Sequence, residues 1–328
     1  MKRRAFIAAT AASIGMPAVV LAQKATRVHR IGVLALDARV AGPGGATLPA
    51  LRTELHALGY QEGRNLVIEE RWAGGDLRRL DEFAHELVRL KPDVIVPITN
   101  YEIAALKRIR HAVPVVMYFG ALPVELGFVE TLARPGGNVT GTAYHSTETA
   151  GKIVGLLKEA VPSATRSALL WNPEFPGMRR YGVDVDRVAR GLGMSIEYFD
   201  ATTAQEIAAA LKRVAASRAQ TLFVAYDSII GLRLKEIAAF AVERRMVSFG
   251  SSPVVAFQGG CLAYGPDLVD ISTRTAAHID RILRGAKPAE IPVEEPRKFQ
   301  LVVNLKTARS IGYTPPANML ARADLVIE

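Results

Sequence analysis

Along the chain, apolar runs of strand length alternate with stretches in which apolar positions recur every three or four residues. The first pattern predicts buried strands and the second amphipathic helices. Strands are expected at 30–36, 65–72, 93–99 and 113–119, and helices at 48–58, 77–90 and 101–111. In 77–90, Leu80, Phe83, Ala84, Leu87 and Val88 share one helical face, and Lys91-Pro92 ends the helix. The rhythm resumes with strands at 166–171, 195–199, 221–226, 247–250 and 261–264. Helices at 147–161, 177–191, 204–217, 231–244 and 268–283 separate or follow them. Strands spaced by helices of this length imply a parallel, doubly wound sheet, and two such series imply two α/β lobes. Between them, Pro135-Gly136-Gly137-Asn138 is expected to turn the chain out of a helical segment. A short β run then leads through Tyr144 and His145 into the second series. The proline- and charge-rich stretch 288–304 reads as an extended link back across the lobe boundary, before a helix at 305–311.

Composition narrows the chemistry. At 328 residues and 49% hydrophobic, the chain suits two domains, each with its own core. A single cysteine, Cys261, excludes an internal disulfide, and the six histidines lack metal-ligand spacing. The net charge of +9 falls to +6 once Lys2, Arg3 and Arg4 are set aside. The remaining basic residues are mixed with acids, as in Glu69-Glu70-Arg71, which gives nucleic-acid binding no support. Residues 1–22 combine a basic start, an apolar core and the small residues Val20 and Ala22 at a cleavage position, as in a secretory signal peptide. Arg3-Arg4 gives that leader a twin-arginine look. Export to the periplasm and a soluble mature chain are expected.

Right-handed crossovers place all carboxyl ends of the strands on one edge, where open α/β sheets bind ligands. In the first lobe those ends offer Asp37, Thr99, Asn100, Tyr101 and Tyr118. The join offers Tyr144 and His145, and the second lobe offers Asn172, Phe175, Asp227, Ser251 and Tyr264. Thr99, Asn100 and Asp227 suit helix caps equally well. The glycine-rich loop 37–47 fits neither dinucleotide nor phosphate-loop spacing, and no cofactor is expected. Gly-x-Ser-x-Gly is absent, and Ser228 has no histidine tied to it by sequence, so catalysis is not expected.

Several motifs together carry a family resemblance. They are Leu58-Gly59-Tyr60-Gln61-Glu62-Gly63-Arg64-Asn65, Arg71-Trp72-Ala73 and Arg134-Pro135-Gly136-Gly137-Asn138-Val139-Thr140-Gly141. Phe299-Gln300-Leu301-Val302-Val303-Asn304-Leu305-Lys306-Thr307-Ala308 and Leu320-Ala321-Arg322-Ala323-Asp324 complete the set. With the basic leader, these resemble the ABC transporter substrate-binding protein family that includes tryptophan/tyrosine-type binding proteins. The resemblance implies a type I periplasmic binding protein of two flavodoxin-like lobes joined by a hinge of three crossing strands. It implies lobes formed by 23–143 plus about 267–295 and by 144–266 plus about 296–328. It further implies a monomeric, non-catalytic protein that closes on a small molecule and presents it to a permease powered by an ATPase. Members carry Asp-Pro-Val after the fourth strand, where this chain has Ala121-Leu122-Pro123-Val124. The lost carboxylate is a partner for a ligand ammonium, so a neutral or acidic aromatic competes with an aromatic amino acid as ligand. Two alternatives are a two-lobed α/β enzyme, such as a nucleotide-sugar transferase, and a periplasmic ligand sensor.

Overall fold

A computed structural model describes residues 27–37, 43–144 and 146–328, with only the backbone path for 43–46, 144 and 146–148. The leader and His145 lie outside the described residues, as does the side chain of Tyr144.

The first sheet contains β1 (His29–Ala35), β2 (Leu66–Trp72), β3 (Val94–Pro97), β4 (Val115–Ala121) and β5 (Val139–Tyr144). Their order is β2-β1-β3-β4-β5, parallel throughout. The central strands read as continuous apolar runs because helices cover both faces: Ile31, Val33, Leu34 and Ala35 are all fully buried. The covering helices are α1 (Pro43–Ala57), α2 (Leu77–Arg89) and α3 (Asn100–Ile109). On α2 the buried face is Leu80, Ala84 and Leu87, and Asp76 caps the helix by accepting from Arg78 N–H at 2.9 Å.

The second sheet contains β6 (Arg166–Trp171), β7 (Ser195–Asp200), β8 (Thr221–Val224) and β9 (Val247–Gly250). β10 (Leu262–Pro266), β11 (Phe299–Asn304) and β12 (Leu325–Ile327) extend it. The order is β12-β11-β10-β9-β8-β6-β7. Counted from β6, the first five strands repeat the order of the first sheet, the flavodoxin-like arrangement. Around it run α4 (Ser146–Ala160), α5 (Met178–Gly191), α6 (Glu206–Ala216), α7 (Ser228–Gly231) and α8 (Leu234–Glu243). α9 (Pro253–Phe257), α10 (Leu268–Leu283), α11 (Leu305–Ser310) and α12 (Ala317–Ala321) follow.

Three passages join the sheets. The first runs from β5 into α4. The second runs from β10 into α10, which packs on the first sheet: Ile271, Ala276, Ile279 and Ile282 join the core of β1, β3 and β4. In the third, Glu294 N–H donates to Gly141 O and Ala143 N–H donates to Glu294 O, both at 3.0 Å, before the chain enters β11. Arg274 of α10 holds the Glu294 carboxylate at 2.5 Å and Asp270 at 3.0 Å. Gly141 is required here: its φ is +129°, and a Cβ would lie 2.4 Å from the Met117 backbone.

Some elements differ from the sequence-based expectation. Turns, not a helix, precede Pro135, because Phe128 and Val129 N–H both donate to Pro123 O around the left-handed Leu122. The first helix begins at Pro43 rather than 48, with proline at the first position where its missing N–H costs nothing. The helix expected at 231–244 is α8, beginning at Leu234, and a separate short helix, α7, precedes it across Leu232 and Arg233. α9 was not expected at all. β11 runs antiparallel to β10, with Pro266 opposite Phe299, because the third passage delivers the chain to the cleft end of the sheet.

Candidate functional site

In both sheets the strand order reverses at the first strand, between β1 and β3 and between β6 and β8. Open α/β sheets leave a crevice outside the carboxyl ends at that point. Here the two crevices face each other and form one cavity with an empty volume of about 860 Å³, counting solvent at its mouth. That size suits a small organic ligand. The first lobe lines it with Ile98, Thr99, Phe119, Ala121 and Leu122. The second contributes Phe175, Met178, Tyr181, Tyr226 and Asp227, with Ser251 and Ser252 above α9. None of the described lining residues is a lysine or arginine.

Each lobe buries a carboxyl at this point. Glu102, in the first turn of α3, accepts from Leu36 N–H at 2.5 Å and from both the amide and hydroxyl of Thr99 at 2.7 Å. It thereby ties the ends of β1 and β3 to the start of α3. Burial pushes its carboxyl up to about 7, outweighing those donors, and the charge of buried Asp37 adds to the rise. Asp227 caps α7, taking Ile230 N–H at 2.7 Å on Oδ1 and Asn172 Nδ2 at 2.7 Å on Oδ2. Burial raises it to about 7 as well, against the pull of those donors.

The lobes meet through side chains beside Asp227. Asn172 Nδ2 also donates to Tyr101 OH at 2.7 Å, and Tyr101 packs edge-on against Phe175 with ring centres 5.2 Å apart. Desolvation, with the Asp227 charge nearby, raises the Tyr101 phenol, which therefore stays protonated. Asn100 Nδ2 donates to Ala121 O at 3.0 Å within its lobe and to Pro176 O at 2.9 Å across the cleft. The Thr99 and Ser228 hydroxyls lie 3.4 Å apart.

Of the residues singled out by sequence, Thr99, Phe175, Asp227 and Ser251 line the cavity. Asn100, Tyr101 and Asn172 stand behind them as the interlobe contacts just described. Asp37 is buried at the end of β1 and acts on Glu102 through its charge. Tyr118 does not reach the cavity: its hydroxyl lies 2.6 Å from Ser272 of α10. Successive strand residues face opposite ways, so its neighbour Phe119 is the one that lines the cavity. Tyr264 is likewise displaced, stacked on Phe299 with ring centres 5.7 Å apart. Glu102, Tyr181 and Tyr226 were not anticipated. Glu102 alone left a signal, since Thr99-Asn100-Tyr101-Glu102 has capping-box spacing.

Comparison with known proteins places this cavity in context. A tyrosine-binding protein of Clostridioides difficile is 23% identical over 254 residues, spanning 77% of this chain and 72% of that protein. The structure of an ABC domain in complex with L-Trp from Streptococcus pneumoniae matches with a TM-score of 0.84 at 25% identity. That match covers 92% of this chain and all (100%) of the other. The ligand-free, open structure of a substrate-binding protein with adhesive properties from Clostridium difficile matches with a TM-score of 0.66 at 22% identity. It covers 92% of this chain and 99% of that one. Solute-binding proteins of ABC transporters share the two-lobed type I fold at lower identity. The family described as ABC transporter substrate binding protein matches residues 38–327, nearly the whole chain. Two flavodoxin-like lobes around a shared cavity are thus joined to a sequence match of the same extent, and the chain belongs to the ABC transporter substrate-binding protein family.

Proposed function

We propose that this protein is the exported solute receptor of an ABC importer. It closes its two lobes over a small aromatic ligand and offers the closed form to a membrane permease driven by an ATPase. The observation that carries this reading is the cavity at the facing strand ends, with Phe119, Phe175, Tyr181 and Tyr226 around it and Asp227 as its ionisable carboxyl. Aromatic walls favour a flat ring by stacking and edge contacts. The hydrogen bonds of Asn172 to Tyr101 and of Asn100 to Pro176 across the cleft support a closed arrangement here.

The charge pattern narrows the ligand. Asp227 supplies, from the second lobe, the carboxylate missing after β4, where the chain reads Ala121-Leu122-Pro123. With buried Glu102 and Asp37 close behind and no described lysine or arginine in the lining, a ligand bearing only a carboxylate meets repulsion. An aromatic amine or amino acid places its ammonium, or another N–H or O–H donor, on Asp227. The protein holds its ligand and does not transform it.

Titration calorimetry with L-tyrosine, L-tryptophan, tyramine and 4-hydroxyphenylacetate tests this directly. At least one of the three amines should bind saturably, and Asp227→Asn should weaken it by tenfold or more, about 1.4 kcal/mol. Equal binding of 4-hydroxyphenylacetate would remove the role given to Asp227. Turnover of any of the four would overturn the receptor reading itself.

A further inference from the structure

Asp227 is 2% exposed, and the groups that hold its two oxygens, Asn172 Nδ2 and Ile230 N–H, are neutral. Its neighbours Asn172 and Ser228 meet the other lobe. Tyr101 of α3 closes over Asp227 through Asn172, and the Thr99 hydroxyl approaches Ser228 next in sequence. The titratable groups facing it across the cleft offer no relief. They are the protonated Tyr101 phenol and, beside that ring, the carboxyl of Glu102; Glu174, near the same ring, belongs to the lobe of Asp227 and is paired with Arg179. Among the described residues, no cation offsets the burial of Asp227. When the lobes part, Tyr101 and Thr99 withdraw and water reaches the carboxylate. When they meet, its charge is either neutralised or stranded in a low-dielectric pocket, which is costly.

We propose that Asp227 makes closure conditional: the lobes come together only when a proton, or a donor group of the ligand, neutralises its carboxylate. The inference rests on the closing-cleft reading above but needs no ligand to be observed. Without ligand, closing takes up a proton. The carboxyl titrates at about 7 when enclosed and in the ordinary carboxylate range when solvated. Between those limits the closed form binds the extra proton, so closure is favoured as pH falls. The ratio of closed to open molecules rises by up to about tenfold for each unit of pH. Above about 7 the unliganded cleft stands open, and an ammonium on the ligand then takes the place of the proton and closes it.

Small-angle X-ray scattering tests this on protein stripped of co-purified ligand by unfolding and refolding. From pH 8.5 to 5.5 the radius of gyration should fall as the cleft closes. Asp227→Asn keeps a helix-capping side chain without the charge and should be compact at every pH. Asp227→Ser, a second neutral cap, should behave alike and guards against a folding defect peculiar to one variant. A wild-type radius that is constant over this range and equal to that of both variants would overturn the proposal. Tight aromatic binding alongside a constant radius would sink the proton linkage while leaving the receptor reading intact. A pH-dependent radius without aromatic binding would support the linkage and refute the ligand assignment.

Discussion

Glu102 stands in the first turn of the helix after β3, and Asp227 caps the helix after β8, the strand in the same place in the second lobe's order. Burial drives both carboxyls up to about 7. Their surroundings differ in one respect. Both take their donors from their own lobe, Glu102 from Leu36 and Thr99 and Asp227 from Asn172 and Ile230, but Glu102 does not line the cavity. Asp227 lines the cavity, and Tyr101 of the other lobe completes its enclosure. Parting the lobes leaves the donors of Glu102 in place, whereas it withdraws Tyr101 and Thr99 from the neighbours of Asp227. Equivalent places in one fold thus serve separately as scaffold and as sensor.

Removing the Glu102 carboxyl should have the largest effect. Glu102→Ala leaves the Leu36 and Thr99 amides and the Thr99 hydroxyl without their acceptor, and should cost about 3 kcal/mol in denaturant unfolding at pH 6. Asp227→Asn should cost far less, because asparagine still caps α7. Equal losses would mean that the two carboxyls do the same job.

A smaller effect lies in pH. Glu102 has its folded value raised from 4.5 to about 7, so its contribution to stability is fully present below about 4.5. It is lost as pH rises through about 7. Unfolding free energy should therefore fall by roughly 1 kcal/mol between pH 6.5 and 8.5. Below that window His111, depressed by burial, titrates with the opposite slope. The fall should persist in Asp227→Asn and shrink in Glu102→Ala, where only the proton taken up by Asp227 on closing remains; the reverse pattern would exchange their roles. Smallest of all, Ser228→Ala removes a 3.4 Å hydroxyl contact across the cleft. It should change ligand affinity by no more than about twofold, under about 0.5 kcal/mol. A larger loss would show that the lobes are latched at Thr99 as well as at Tyr101.

Much of the fold was legible because local rules decide it. The strand Arg166–Trp171 and the helix Leu268–Leu283 stand where their apolar spacing puts them. The site was legible less evenly. Strand ends can be found from the pattern, and Thr99, Asp227 and Ser251 follow from that. Which of Tyr118 and Phe119 faces the cavity depends on the phase of β4, and the register of that strand shifts between Met117 and Gly120. Half of the Glu102 environment was local, its capping box with Thr99. The other half, the Leu36 amide, comes from 66 residues away and has no signature in the sequence.

The stitching of Glu294 onto Gly141 and Ala143 has a consequence for synthesis. The chain leaves β5 at Tyr144, yet α10, which covers the sheet, begins only at Leu268, and the segment that borders the strand, at Glu294, emerges about 150 residues later. At ribosomal rates of about 5–20 residues per second, the first lobe waits roughly 8–30 s for its last pieces. Through that interval Ile31, Val116 and their neighbours lack the apolar cover of Ile271 and Ile279. The lobe whose strands are made first is therefore completed almost at the end, and a nascent chain halted near residue 260 carries a first sheet with all its strands but without the cover of α10.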